Sequence, residues 1–183
     1  MSIRSYFRRI KARIHSDYTT EELISMGLVV GKNFLRMHNT IIDPSHCWLI
    51  HIGDNVTFAP RCHVLAHDAS TFHTLGFTKI GNVNIGNDVF VGAETVILPN
   101  VNIGDKVVIG ANSTVTNDIP SNSVAVGSPA RVICSFDEYM EKNRALMSTN
   151  PVYGEEYTLR GEITQEMKAE MYNSLHGKIG FVK

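Results

Sequence analysis

Residues 85–120 read IGNDVF VGAETV ILPNVN IGDKVV IGANST VTNDIP, six consecutive units of six residues. Each unit begins with Ile or Val, and its fifth residue is small or β-branched. A period of six matches neither a 3.6-residue helix nor the long alternating strands of a sandwich. It predicts a coil of short strands joined by tight corners, in which the first and fifth residues of each unit point inward.

The same phase continues upstream in IGDNVT, FAPRCH and VLAHDA, residues 52–69. The stretch STFHTLGFTK, residues 70–79, interrupts it, and the pattern resumes at Ile80 one residue short of a full unit. Such an interruption predicts a loop that leaves one face of the coil, often the binding face. Glycine and asparagine recur between the units, and we expect them to supply the positive φ angles that tight corners need.

Helical patterns flank the coil on both sides. Residues 1–15 and 19–27 have helical spacing, and Thr19 with Glu22 forms a capping box. FDEYMEKNRALM and EITQEMKAEMYNSLH follow the coil with the same spacing, and we expect these helices to cap it and hide its open edge. The chain therefore divides into a helical segment at 1–27, a coil at 28–134 with a loop at 70–79, and a helical extension at 135–183.

The composition excludes several classes of protein. The 183 residues carry 17 basic and 18 acidic side chains, and five of the basic ones lie in residues 1–15 without an acid. No basic body or recognition-helix pattern indicates a nucleic-acid partner, and no apolar run is long enough to span a membrane. The three cysteines form no CxxC pair, which excludes a disulfide scaffold and favours a soluble, cytoplasmic protein.

Together, the hexapeptides, the HDAS segment at 67–70 and the ending VGSPARVI at 126–133 resemble the hexapeptide-repeat acyltransferases. The galactoside, maltose and xenobiotic acetyltransferases and the polysaccharide O-acetyltransferases are the most similar group, and the resemblance covers residues 28–134. It implies a mainly β fold, a left-handed parallel β-helix with three hexapeptides per coil. It further implies a homotrimer with active sites between neighbouring subunits and acetyl-CoA lying along the coil.

His67 is the candidate catalytic residue. Transfer of an acetyl group to a hydroxyl needs a base, and histidine suits that role near neutral pH. His67 stands just before the interruption, where the resemblance places the family's catalytic histidine. Asp68 could orient the imidazole, but neighbouring side chains of an extended segment point apart, so we expect Asp68 to stabilise the turn.

The resemblance also implies residues that contact acetyl-CoA. The backbone amide of Ala93 would face the thioester carbonyl as an oxyanion donor, and Ala111 would allow close approach of the pantetheine. Thr116, Asn117 and Arg131 match further contact positions, with Arg131 as the candidate for phosphate. Asn117 stands where relatives often have lysine, and Cys134 stands where some have a second arginine. Two positive charges that could contact the CoA phosphates in relatives are therefore absent from these positions.

Acceptor and metal sites are less defined by the sequence. Asp43, His46 and His73 are candidates for contact with the acceptor, which the resemblance implies to be a sugar, nucleotide-sugar or polysaccharide precursor. His63 and His67 are separated by four residues, roughly 13 Å in an extended chain, which is too far to share one zinc ion. We therefore expect no bound metal.

The sequence is interpreted as that of an acetyl-CoA-dependent O-acetyltransferase. The alternative is an N-acetyltransferase that acts on an amino-sugar. A metal-dependent lyase similar to carbonic anhydrase and a noncatalytic trimeric scaffold are more distant alternatives. The three cysteines could be acyl-carrying nucleophiles, but no motif sets a base beside them, and we expect them to be buried small apolar residues.

Overall fold

A computed structural model describes residues 18–183. The helix predicted over 1–15, with its basic cluster, lies outside the described residues. The contacts within the chain divide it into two compact units, one ending at Phe136 and one spanning Asp137–Lys183. Each unit is described separately below.

The first unit consists mainly of short strands. They are β1 (Val29–Val30), β2 (Leu35–Arg36), β3 (Ile41–Ile42), β4 (Ile50–Ile52), β5 (Thr57–Phe58), β6 (His63–Val64), β7 (His67–Asp68), β8 (Lys79–Ile80), β9 (Val83–Ile85), β10 (Val89–Val91), β11 (Val96–Ile97), β12 (Val101–Ile103), β13 (Val107–Ile109), β14 (Thr114–Val115), β15 (Ser123–Val126) and β16 (Arg131–Ser135). The helices of its described residues are α1 (Thr20–Ser25), α2 (Phe72–Leu75) and the 3-10 turns Cys47–Leu49 and Ala69–Thr71.

Three sheets form the sides of the coil. The first has the order β1-β4-β9-β12, the second β2-β5-β10-β13-β15-β16 and the third β3-β6-β11-β14. Neighbouring strands are parallel, apart from the antiparallel pair of β15 with β16. Val89 pairs with Val107, which is three six-residue units further along the chain. The chain therefore visits the three sheets in turn, and the predicted coil of three hexapeptides per turn is confirmed.

The core lies inside this coil. The leading aliphatic residues are all at most 4% exposed: Ile85, Val91, Ile97, Ile103, Ile109 and Val115. The fifth residues of the units are at most 5% exposed: Val89, Thr95, Val101, Val107, Ser113 and Ile119. The two buried hydroxyls among them donate to the carbonyl of Gly110. Both inward positions predicted from the period are therefore confirmed.

The corners correct the expectation about glycine. Glycines of the repeat such as Gly86 and Gly92 do not have positive φ, and asparagines such as Asn100 and Asn112 do, at 63° and 55°. A Cβ on Gly92 would lie 2.4 Å from the backbone nitrogen of Ala111 in the next coil. The repeat glycines are therefore needed because successive coils approach closely, and not because of their dihedral angles.

The interruption at 70–79 is an ordered excursion. β7 pairs antiparallel with β8, with His67 opposite Ile80, and the turn Ala69–Thr71 and helix α2 lie between them. Asp68 caps this turn by accepting from the backbone nitrogen of Ser70, and its carboxylate lies 2.6 Å from Nζ of Lys79. These contacts, led by the bond to Lys79, lower the pKa of Asp68 to about 2. The predicted role of Asp68 in stabilising the turn is therefore confirmed.

The helices predicted at the flanks are present within the described part of the chain. Thr19 and Glu22 form the capping box of α1. The second unit contains the rest of α3 (Phe136–Met147), α4 (Gln165–Ser174), the parallel pair β17 (Val152–Tyr153) and β18 (Phe181–Val182), and the 3-10 turns Glu155–Tyr157 and Leu159–Gly161. The role of these helices in covering the coil stays a prediction.

Candidate active site

His67 and Asp43 are brought together by the register of the third sheet. β3 and β6 pair with Ile42 opposite Val64, so the corners that follow these two strands stack on each other. Asp43 is the first residue after β3, and its backbone nitrogen donates to the carbonyl of Val64. Its carboxylate Oδ2 lies 2.5 Å from Nδ1 of His67.

Backbone amides hold the Asp43 carboxylate in place. The side chain is 0% exposed, and it accepts hydrogen bonds from the backbone nitrogens of Ser45, at 2.9 Å, and Ala66, at 3.0 Å. A carboxylate in this position makes Nδ1 of His67 the donor, and the lone pair of the neutral ring is then on Nε2. The His67 side chain is 33% exposed, so this site is accessible from outside the coil.

Asp43 has a position that the sequence did not predict. Its buried carboxylate is bonded to His67, and it therefore orients the imidazole. The contact with the acceptor that the sequence assigned to Asp43 stays a prediction. Because Asp43 and His67 are 24 residues apart, no local motif links them, and the signal that could have found the pair is the stacking of corners between successive coils.

His46 and Trp48 lie beside the pair. The His46 ring is 5.3 Å from the rings of both His67 and Trp48, measured between centroids. Trp48 is 51% exposed, and the side chain was not singled out from the sequence. His73, the third candidate for acceptor contact, lies on α2 with its ring 6.0 Å from that of Phe72, and it is exposed.

Ala93 and Ala111 share a second corner, between the second and third sheets. The carbonyl of Ala93 accepts from the backbone nitrogen of Asn112, 2.8 Å away in the next coil. Within residues 18–183 the backbone N–H of Ala93 makes no hydrogen bond to another backbone group. Arg131 is exposed at the start of β16, where it pairs with Val126, and that residue lies against Gly110 of the same corner.

The other predicted cofactor residues lie elsewhere. Thr116 and Asn117 follow β14 and so belong to the corner between the third and first sheets, which is also the corner of His67. Both are exposed, and Nδ2 of Asn117 donates to Oγ1 of Thr116. They are separated from Ala111 by one face of the coil.

The predicted base and the predicted oxyanion donor are therefore not adjacent in one chain. His67 follows β6, whereas Ala93 precedes β11, and these two strands pair side by side in the third sheet. Because the strands are parallel, His67 lies at their carboxyl ends and Ala93 at their amino ends, on opposite sides of that face. A single chain does not bring them to one reacting atom.

The three cysteines and His63 were also considered as functional residues from the sequence. Cys47 and Cys62 are buried, which raises the pKa of each thiol and makes the reactive thiolate less available. Cys134 is half-buried and departs from the expectation of full burial. His63 lies on β6, and among the described residues it is not in the group of possible ligand atoms formed by Asp43, His46 and His67. No helix among those residues is long and apolar enough to cross a membrane.

The chain was compared with protein families and curated proteins. Residues 82–117 match the bacterial transferase hexapeptide family (six repeats). The galactoside O-acetyltransferase of Escherichia coli K12 is 44% identical over 113 residues, 60% of this chain and 54% of the relative. Protein CapG of Staphylococcus aureus is 36% identical over 132 residues, 69% of this chain and 76% of the relative.

One solved structure is a hexapeptide-repeat-containing acetyltransferase from Vibrio cholerae O1 biovar eltor, complexed with acetyl coenzyme A. It is 27% identical, with a TM-score of 0.54 over 60% of this chain and 61% of that one. The chain thus spans little more than half the length of two of these three proteins. The repeats, the three-sided coil and the similarity to CapG across 76% of its length lead to one conclusion: the chain belongs to the hexapeptide-repeat acyltransferase family.

Proposed function

We propose that this protein transfers an acetyl group from acetyl-CoA to a hydroxyl group of a carbohydrate acceptor. The observation that carries the proposal is the buried Asp43 carboxylate, which lies 2.5 Å from Nδ1 of the partly exposed His67. This arrangement is that of an oriented general base. The O-acetyltransferase name of a relative that is 44% identical and the acetyl-CoA complex of a structural neighbour support the reaction class.

The proposed reaction is direct. The acceptor hydroxyl gives its proton to Nε2 of His67 while its oxygen attacks the thioester carbonyl carbon, and Asp43 stabilises the imidazolium that forms. The oxyanion of the tetrahedral intermediate accepts a hydrogen bond from the backbone N–H of Ala93. When the intermediate collapses, the carbon–sulfur bond breaks, and the leaving sulfur of CoA takes the proton from His67.

The proposed active site is shared between two subunits of a homotrimer. His67 and Ala93 lie at opposite ends of the paired strands β6 and β11, which supports a site in which a neighbouring copy supplies one of them. Three copies arranged around an axis would give three equivalent sites. We further propose that the coil is left-handed, as in the family that the sequence resembles.

Contacts with CoA are proposed at the two corners that flank the third sheet. Ala111 would let the pantetheine approach the backbone, Thr116 and Asn117 would offer polar groups, and Arg131 would bind phosphate. His46 and His73 remain proposed contacts of the acceptor, and Trp48 adds an exposed aromatic surface beside them. A cytoplasmic location stays a prediction, which the free, buried thiols of Cys47 and Cys62 favour.

The proposal is tested by measuring release of the CoA thiol from acetyl-CoA across matched hydroxyl and amine acceptors. We expect turnover with sugars or nucleotide-sugars that offer hydroxyls, and a fall of at least about 10²-fold in kcat for His67→Ala because the base is lost. His51→Ala, an exposed histidine on β4, is the matched control. Turnover with amino-sugars alone would favour the N-acetyltransferase alternative, and an unchanged His67→Ala would contradict the role of His67.

A further inference from the structure

Three side chains near β3 and β7 offer ligand atoms for a metal ion. They are Asp43, His46 and His67, and one ligand atom of each lies within 4.8 Å of those of the other two. A carboxylate with two imidazoles is a ligand set that divalent transition metals prefer. The proposed acetyl transfer uses Asp43 and His67, but it gives His46 no role in the chemistry.

His46 supplies an independent observation. Its Nδ1 is buried and has no hydrogen-bond partner among the described residues. Buried polar atoms are nearly always bonded, so a buried ring nitrogen without a partner indicates a missing ligand or water. The ring lies 5.3 Å from those of His67 and Trp48, between centroids, so the residue with the unpaired nitrogen is a member of the group just described.

We propose that Asp43, His46 and His67 form an inhibitory binding site for one Zn²⁺ ion. Zinc binds nitrogen and oxygen ligands at about 2.0–2.2 Å, so ligands around one tetrahedral ion lie roughly 3.3 Å apart. Groups already within 4.8 Å of one another need only side-chain rotation to reach that spacing. Water takes the fourth position from the accessible side of His67, which is 33% exposed.

Zinc would act by taking the place of the hydrogen between Asp43 and His67. The ion binds Nδ1 of His67, and the hydrogen that Nδ1 carried moves through solvent to Nε2. The neutral ring then keeps one hydrogen, but Nε2 has lost the lone pair that accepts the acceptor's proton. Protons compete with zinc for both imidazoles, so binding weakens as the pH falls. The inhibition rests on the proposed function, whereas the binding does not.

Calorimetric titration of zinc chloride into tag-free protein without acetyl-CoA tests the site. We expect one zinc per chain and at least about tenfold weaker binding in both His46→Ala and His46→Gln, because one of three protein ligands is lost. His51→Ala and Cys134→Ser are matched controls that should bind as the unchanged protein does. Mg²⁺, which prefers oxygen ligands, should not bind here.

The outcomes separate the two parts of the proposal. Absence of stoichiometric binding, or binding that is unchanged in both folded His46 variants, overturns the zinc site. If zinc binds and is lost in the His46 variants, we expect it also to inhibit thiol release, and a chelator to restore it. Zinc that binds there without inhibiting would leave the site intact and contradict the use of Nε2 as the base.

Discussion

At the scale of single residues, the central feature is a buried carboxylate that acts through a histidine. Asp43 accepts two backbone hydrogen bonds and has no exposed side-chain surface, so its position is set by the fold. His67 needs that partner to keep the hydrogen on Nδ1 and the lone pair on Nε2. Asp43 is therefore a positioning residue for the proposed base.

Asp43→Asn tests this role. The amide has nearly the same shape, but it cannot stabilise an imidazolium and can turn its NH₂ toward Nδ1, which would select the wrong tautomer. We expect kcat to fall roughly 10²–10⁴-fold with little change in the KM for acetyl-CoA. Steady-state kinetics across a range of pH measures both values.

Asp68→Asn is the matched control for that variant. Asp68 is the neighbour of His67 in the chain, but its carboxylate bonds to Lys79 and Ser70 instead. We expect its kcat to stay within about threefold of the unchanged protein, since a surface ion pair contributes little. Equal losses in the two variants would show that Asp43 has no special role.

At the scale of elements, the corners of the coil differ in whether they have a glycine after the leading aliphatic residue. We number each corner by the sheet whose strand precedes it. Within residues 85–120 the glycines lie at the first corner, as Gly86 does, and at the second corner, as Gly92 does. The two units that lack this glycine have Leu98 and Thr116 at the third corner, which is also the corner of His67. Within residues 85–120, the position after the leading aliphatic residue therefore has glycine at the first and second corners and a side chain at the third.

Gly92→Ala tests the requirement for close approach. The new Cβ would meet the backbone of Ala111 at 2.4 Å, so one coil has to shift. We expect the free energy of unfolding to fall by about 1–3 kcal/mol, measured by urea denaturation. Thr116→Ala, at the same place in its own unit, should change it by less than about 0.5 kcal/mol. Equal effects would contradict the difference between corners.

The proposed oxyanion donor belongs to one of these corners. Ala93 precedes Glu94, which has a φ of 61°, and Pro60 precedes Arg61, which has the same φ one coil earlier. Glu94 donates its backbone N–H to the carbonyl of Pro60, so the two corners are stacked. Because a proline occupies the matching position one coil earlier, we expect Ala93→Pro to fit at this corner and to remove the N–H.

Ala93→Pro should lower kcat about 10²–10³-fold, which is the usual effect of losing one oxyanion donor. The thermal midpoint of unfolding should change little, because the N–H makes no hydrogen bond to another backbone group within the described residues. Ala93→Ser keeps the N–H and should retain activity. A fully active Ala93→Pro protein would exclude this amide from the reaction.

Most of the coil could be predicted from the repeat, because a period of six identifies which residues point inward. The reason for the glycines could not be read from it, since a Cβ clash such as that at Gly92 depends on the spacing between coils. The site divides in the same way. The prediction for His67 comes from its place before the interruption together with the family resemblance, but Asp43 and His46 reach it only through the stacking of corners.

At the scale of the whole molecule, the separation of His67 from Ala93 is the feature that demands a partner. His67 follows β6 and Ala93 precedes the paired strand β11, so the two residues lie at opposite ends of parallel strands, and under the proposed mechanism one chain would hold two halves of different sites. In a closed trimer, each interface would combine His67 of one subunit with the Ala93 amide of the next. The proposed chemistry and the proposed assembly therefore depend on each other.

Mixing two inactive variants tests this account most directly. Subunits with His67→Ala and subunits with Ala93→Pro are combined in equal amounts, allowed to exchange, and assayed for thiol release. In a randomly mixed trimer with two kinds of subunit, one of the three interfaces pairs an intact His67 with an intact Ala93 amide. We therefore predict recovery of about a quarter of the unmutated activity. Mixed trimers, verified by mass, that stay as inactive as the separate variants would contradict a site shared between subunits.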